Sequence, residues 1–249
     1  MLILLRDLCM ILRSGMAAGW IILAALGITR LPAAELSTVL LPPPSAAAPG
    51  TASTNSAVRQ IGPGLFQIGE IRFDRESRSI RLPATVNMRE GNIEYFLVTA
   101  NGKTHESLLR TSIEPFQLQL AFLLLGAKGA GTNALPLDPA QSLPGEKVQV
   151  ELSWKTDAGP QIFRAEEFVH DRKANQALSR GPWIYNGSRI REDGFAAQLD
   201  GSIISLITDA DALLNNPRPG REDDDNWLVR TNNLPAVGFP LEVILRLQR

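Results

Sequence analysis

Cysteine, histidine and aromatic residues are scarce in this sequence. Cys9 is the single cysteine among 249 residues, two histidines are present, and aromatic residues make up 6% of the chain. Cys9 lies within the first 34 residues, which we predict to be an export signal. The chain without this signal has no thiolate, and this excludes iron–sulfur clusters and cysteine zinc sites. No cofactor is predicted, and a divalent metal held by histidine and carboxylates is the alternative left open.

An excess of charge of either sign is also missing. The chain has 25 basic and 26 acidic side chains and a formal net charge of -1. Binding to the phosphates of nucleic acids requires a concentrated basic surface, so we expect no nucleic-acid partner. The 44% of hydrophobic residues and 20% of charged residues are typical of a globular protein.

The motifs of nucleotide binding and of serine catalysis are lacking as well. Gly102-Lys103-Thr104 resembles the end of a phosphate-binding loop, but Leu97 stands where that loop needs its first glycine. The glycines between 126 and 131 follow a predicted helix, whereas a dinucleotide fingerprint precedes one. No Gly-x-Ser-x-Gly elbow is present. We therefore predict no catalytic residue from motifs.

The first 34 residues have the pattern of an export signal. Residues 14–29 carry no charge, and Arg6 and Arg13 precede them. This run is shorter than the roughly 20 apolar residues that span a bilayer, and we expect cleavage after Ala34. The prediction is export to the periplasm or the extracellular space. An uncleaved signal anchor is the alternative, and only then do we expect contact with a membrane.

Two further regions follow the predicted signal. Residues 35–61 are predicted to be a disordered linker, because residues 42–57 contain only Pro, Ser, Ala, Gly, Thr and Asn. Residues 62–249 are predicted to form one globular domain. Apolar and polar residues alternate over 148–154 and 241–247, and this period of two predicts strands with one buried face.

Three helices are predicted between the strands. The first covers 115–125, begins at a proline, ends before Gly126 and is apolar almost all round, so we expect it to be buried. Two shorter helices are predicted over 165–177 and 209–215. The resulting fold class is α+β, a mainly antiparallel β-sheet with one buried and two shorter helices. A β-sandwich with helical insertions is the alternative.

The densest group of polar residues lies around His105. Lys103, His105 and Glu106 are candidate ligand-binding residues, because imidazole and carboxylate groups bind metals and transfer protons. Adjacent residues of an extended chain point to opposite sides, so a metal site here needs a bend and further ligands. His170 and Asp171 are the candidates for these ligands. A strand end with an internal salt-bridge network is the competing interpretation.

Two more candidates lie between residues 183 and 189. Trp183 stands near turn-forming residues, so we expect it to line a cleft, and Arg189 is assigned to the same ligand site. Residues 222–226 are rich in carboxylates, but they lack the spacing of an EF-hand loop. We interpret them as a solvated acidic loop.

Several segments make the sequence resemble the YdjY-domain family of exported bacterial proteins. The similar segments lie within 65–248 and are 102–109, 118–126, 148–154, 183–189, 195–197, 209–216 and 235–240. The resemblance implies an exported domain of unassigned biochemical role, and it supplies no catalytic residues.

Two functions are consistent with the sequence. The first is an exported cell-envelope domain that acts as a non-catalytic binding or structural module, with an envelope protein or a small ligand as its partner. The alternative is a metal-dependent or hydrolytic enzyme centred on His105 and Glu106. The lack of a catalytic motif favours the first.

Overall fold

The computed structural model describes residues 57–131, 133–156 and 159–248. The predicted export signal and the predicted linker up to residue 56 lie outside these residues. The first strand begins at Arg59, inside the segment predicted as linker. No helix within the described ranges has the length and apolar character needed to cross a membrane.

This part of the chain consists mainly of short strands. In chain order they are β1 Arg59–Gly62, β2 Leu65–Ile68, β3 Ile71–Asp74, β4 Ser79–Val86, β5 Tyr95–Thr99, β6 Ser107–Thr111, β7 Glu146–Thr156, β8 Gly159–Arg164, β9 Val169–Asp171, β10 Gln176–Ala177, β11 Trp183–Tyr185, β12 Ile190–Arg191, β13 Gly194–Phe195, β14 Ser202–Ser205, β15 Leu214–Asn215, β16 Trp227–Val229 and β17 Pro240–Leu247. The helices are α1 Pro115–Leu124, α2 Ala196–Asp200 and the 3-10 helices η1 Thr104–Glu106 and η2 Ala165–Phe168.

Eight of the strands form a closed barrel. Their order is β4-β17-β7-β11-β15-β14-β5-β6, and β6 pairs again with β4. Neighbours are antiparallel except β14–β15 and β5–β6, which are parallel. Closure gives each of these strands two neighbours, so the ring itself has no unpaired edge.

Two long barrel strands, β4 and β7, change partners on one side along their length. The first half of β4 pairs with β3 and its end pairs with β6. Residues 146–148 of β7 pair with β11, and residues 151–156 pair with β8. The barrel therefore continues into the meander β1-β2-β3 on one side and into β8 on the other.

The predicted fold class is wrong. The α+β expectation of one buried and two shorter helices fails, because the described chain is mostly β-strand closed into a barrel. The alternative β-sandwich is wrong for the same reason, since a ring of paired strands replaces two facing sheets. The alternation over 148–154 and 241–247 does correspond to strands, β7 and β17, with one face in the core.

Helix α1 has the predicted position but is not buried all round. Pro115 is its first residue, and Gly126 follows its end with a φ of 78°. The amide of Ala127 donates to the carbonyl of Phe122 at 3.0 Å, which completes a Schellman motif. Leu118 and Phe122 enter the core, whereas Leu123 is 52% exposed. The exposed side of α1 borders the groove described below.

The other two predicted helices are wrong. Only 165–168 of the segment 165–177 is helical, as η2, and strands β9 and β10 follow. In the segment 209–215, residues 209–213 form a turn and residues 214–215 are β15. In both places pairing with distant strands decides the conformation, since β9 pairs with β16 and β15 lies between β11 and β14.

Candidate functional site

The predicted cluster around His105 lies in the connection from β5 to β6. Helix η1 supplies the bend that this cluster needs, and Glu106 lies between two basic groups. Its carboxylate is 3.6 Å from Lys103 Nζ and 3.6 Å from His105 Nε2. The His105 side chain is 78% exposed. His105 is thus a surface residue beside an ion pair. The ammonium of Lys103 offsets the negative charge of the Glu106 carboxylate, and a bound metal cation would require that negative charge.

Two members of this cluster were missed in the sequence. Lys103 Nζ donates to the hydroxyl of Tyr95 at 2.9 Å, and that hydroxyl donates to Asp209 Oδ2 at 3.0 Å. Burial and then the Asp209 carboxylate raise the pKa of Tyr95 to about 12. Burial opposes the charge of Lys103, but Tyr95 and Glu106 raise the pKa of Lys103 above its usual value. Lys103 and Tyr95 therefore stay protonated at neutral pH.

Glu94 is the third missed member. Its backbone amide donates to the carbonyl of Glu106 at 2.9 Å, so the two acidic residues are neighbours. Burial raises the pKa of Glu94, the carboxylate of Glu106 raises it further, and Lys103 opposes the shift. An alternating polar pattern gives no sign of this pair, because the pair forms between segments separated by a turn.

We expect Glu94→Gln to stabilise the domain near neutral pH. A carboxyl group whose pKa is raised on folding costs stability as the pH rises through its unfolded pKa, about 4.3, to its folded pKa. An amide avoids this cost, so the advantage of the variant should disappear as the pH falls below about 4. Thermal unfolding across this pH range measures it, with exposed Glu90→Gln as the control. A destabilised Glu94→Gln variant near pH 7 would contradict the assignment.

The remaining predicted site residues do not join His105. His170 and Asp171 lie on β9, where Asp171 Oδ1 accepts hydrogen bonds from the Ala174 amide and Asn226. Among the described residues, the group of three acidic or histidine ligands close enough for one ion is 223–225. This group includes neither His105 and Glu106 nor His170 and Asp171. Asp223 Oδ2 is 2.9 Å from Lys173 Nζ, as expected for a solvated acidic loop.

Trp183 and Arg189 also occupy different environments. Trp183 is fully buried on β11 with its ring 5.6 Å from that of Phe96, so it lies in the core and lines no cleft. The reason is its pairing with Val148 of β7 in the barrel wall. Arg189 lies at the surface, on the rim of a large groove beside α1.

This groove, which we call the α1 groove, has a volume of about 880 Å3. One side is formed by α1, the floor by the segment after β11, and the outer wall by the loop after α1. Its described lining consists mostly of apolar side chains and backbone, and includes Gln119, Leu123, Gly129, Ala130, Gly131, Asn133, Ala134, Leu135, Leu137, Tyr185, Asn186, Gly187, Ser188, Arg189, Ile190, Phe195 and Ala210.

The floor of the α1 groove has an unusual backbone. Gly187 and Ser188 both have positive φ, 86° and 58°. Ser188 is held there because its hydroxyl donates to the carbonyl of Asp211 at 2.7 Å and accepts from the Ala197 amide at 3.1 Å. A strained non-glycine residue persists where its surroundings fix it, and such residues cluster at binding sites.

The polar groups of the groove are largely paired within the protein. The Tyr185 hydroxyl donates to Gln119 Oε1 at 2.6 Å. Arg189 donates to both carboxylate oxygens of Asp211, at 2.6 and 3.2 Å, and this contact lowers the pKa of Asp211. The bidentate pair neutralises the guanidinium. The groove therefore presents an apolar surface with an electrically balanced rim.

The comparisons with known proteins identify the family. A family model described as YdjY domain matches residues 71–246. The chain belongs to the YdjY-domain family. No curated protein and no solved structure matches this chain. The match confirms the resemblance found in the sequence.

The match includes every element of the α1 groove and of the Lys103–Glu106 cluster. Segment 183–189, which contributes to the resemblance, ends in the groove floor of this YdjY domain. The sequence indicated Arg189 and the glycine-rich loop separately. It did not indicate the groove, because α1, this loop and the floor come together only through the barrel.

Proposed function

We propose that this protein is an exported, non-catalytic binding module of the cell envelope, and that its α1 groove holds an uncharged apolar chain such as the hydrocarbon tail of a lipid. The export part of the proposal rests on the basic and apolar pattern of residues 1–34. The binding part rests on the groove. Its volume of about 880 Å3 falls in the range of small-molecule sites.

Exposed apolar side chains support an apolar occupant. Leu137 is 73% exposed and Ile190 is 77% exposed, and both line the groove together with Leu123. Large apolar side chains scattered singly need no explanation, but several around one concavity mark a binding surface. Covering them with a bound chain removes apolar area from water, which contributes roughly 25 cal/mol per Å2.

The charge distribution supports an uncharged occupant. Arg189 is the one charged side chain among the described lining residues, and Asp211 neutralises it. A ligand with its own charge in the groove would lose hydration without gaining an unpaired partner. This is the observation that favours a neutral chain over an anionic or cationic ligand.

We expect the domain to bind the uncharged apolar dye N-phenyl-1-naphthylamine saturably, and Leu137→Asp to weaken binding at least about tenfold. A carboxylate on the wall loses hydration beside a bound apolar chain, and tenfold corresponds to about 1.4 kcal/mol. Dye fluorescence gives the affinity. The control is Val237→Asp, because Val237 is also exposed, at 60%, and lies outside the described lining of the groove.

Competition decides the class of occupant. Displacement of the dye by 1-dodecanol but not by charged alkyl compounds supports the proposal. Displacement by apolar peptides with no effect of dodecanol would replace the lipid chain by a protein partner. Non-saturable dye binding, or equal effects of Leu137→Asp and Val237→Asp, would overturn the assignment to this groove.

A further inference from the structure

Arg221 is a fully buried side chain next to the outer wall of the α1 groove. It donates four hydrogen bonds of 2.7 to 2.9 Å. The acceptors are the carbonyls of Pro136, Asp138 and Gln141 and the hydroxyl of Thr208. All four acceptors are uncharged oxygen atoms, and three belong to one loop. A guanidinium suits this task because its planar fork presents five donors at once.

These contacts fix the wall of the groove on both sides of Leu137. Pro136 and Asp138 are its chain neighbours, so their carbonyls hold the backbone from which the Leu137 side chain enters the groove lining. Arg221 also fixes the segment around Thr208, since the Thr208 amide donates to the Arg221 carbonyl at 2.9 Å. Ala210, two residues after Thr208, lines the same groove.

Arg221 occupies this position at an energetic cost. Burial lowers the pKa of Arg221, the carboxylates of Glu222 and Asp138 offset only part of this shift, and the Nε atom has no hydrogen-bond partner among the described residues. A buried charge with neutral acceptors is expensive compared with an apolar side chain. Stability alone therefore does not account for an arginine here, whereas the need to hold one loop at three carbonyls does.

We infer that Arg221 is a positioning residue of the α1 groove: by holding residues 136–141 it sets the distance between the outer wall and α1, and so the affinity for the apolar chain. This inference rests on the proposed function. Arg221 touches no ligand, because it is fully buried behind the wall. Lysine is a poor substitute, since a single ammonium does not reproduce the fork that reaches three carbonyls.

The test compares Arg221→Lys with the wild-type chain in two measurements. Hydrogen exchange of residues 133–141 reports on the wall, and N-phenyl-1-naphthylamine fluorescence reports on the groove. We expect exchange in this loop to become at least tenfold faster and the dye affinity to fall at least tenfold. Val150→Ala, in the core strand β7, is the control for general loss of stability, and Thr208→Val removes one contact if Arg221→Lys does not fold.

The outcomes separate this inference from the proposed function. Wild-type binding with unchanged loop exchange in Arg221→Lys would overturn the role of Arg221 and leave the proposed function intact. Equal losses of affinity in Arg221→Lys and Val150→Ala, compared at equal stability, would also overturn it. If the wild type binds no dye, the proposed function fails, and faster loop exchange then supports only the anchoring of the wall by Arg221.

Discussion

Trp183→Ala should lower the free energy of unfolding by about 3–5 kcal/mol, the cost of deleting a large aromatic side chain from a core. Trp183 is fully buried, its ring lies 5.6 Å from that of Phe96, and the guanidinium carbon of Arg218 lies 5.2 Å from its ring centre. The truncation leaves a cavity and removes both contacts. Because domains are stable by about 5–15 kcal/mol, much of the total is lost. Urea denaturation followed by far-UV circular dichroism measures the change.

Two controls test the cause of this loss. Trp183→Phe keeps an aromatic ring and removes an indole N–H that has no hydrogen-bond partner among the described residues, so it should cost clearly less than alanine. Phe116→Ala deletes an aromatic ring that is half exposed on α1, and it should cost less as well. A Trp183→Ala variant as stable as the wild type would return Trp183 to the candidates for a ligand site.

Glu166→Ala should also destabilise the domain by about 3–5 kcal/mol, because it leaves a buried cation without its counter-ion. The buried Glu166 carboxylate accepts from Arg164 at 3.0 and 3.1 Å and from Arg218 at 3.0 Å. Burial lowers the pKa of Arg218 to about 10, opposed by Glu166. In Glu166→Ala the negative charge that stabilises the protonated Arg218 guanidinium is lost, while this guanidinium stays in the low-dielectric interior.

The neighbouring residue supplies a matched control. Glu167 accepts from Arg180 at 3.1 Å and from the backbone amide of Arg164 at 3.2 Å, so Glu167→Ala loses an exposed ion pair and a helix-capping hydrogen bond and should cost about 1–2 kcal/mol, clearly less than Glu166→Ala. Replacing both buried partners, in Glu166→Leu with Arg218→Met, should recover part of the stability lost in Glu166→Ala. A double variant no more stable than Glu166→Ala would show that the lost hydrogen bonds, and not the uncompensated charge, cause the effect.

Sequence patterns were reliable where one segment contains its own signal. The alternation that predicted strands over 148–154 and 241–247 reports which face is buried, and both strands are present. Proline at the start and glycine just after the end defined α1, because each satisfies a local backbone requirement of a helix end. In the Lys-Thr-His-Glu segment, Lys103 and Glu106 form an ion pair between residues three positions apart.

Patterns failed where the partner of a segment is distant in the chain. Glu166 lies in the segment predicted as a helix over 165–177, but its carboxylate accepts a hydrogen bond from Arg218, 52 positions later. Glu94 and Asp209 approach Glu106 and Lys103 through the barrel, and no local spacing connects them. The same limit applies to Arg221. Three of its four acceptors, the carbonyls of Pro136, Asp138 and Gln141, lie 80 to 85 residues earlier in the chain.

The sequence by itself determined the family, the strand positions of β7 and β17, helix α1 and the lack of thiolate chemistry in the described domain. Only the tertiary structure decided that eight strands close into a barrel, that Trp183 is core and that Arg189 borders a groove. The physical reason is the distance along the chain over which the deciding interactions act. Helix ends and alternation depend on neighbouring residues, whereas closure and the groove depend on pairings between residues far apart in the chain.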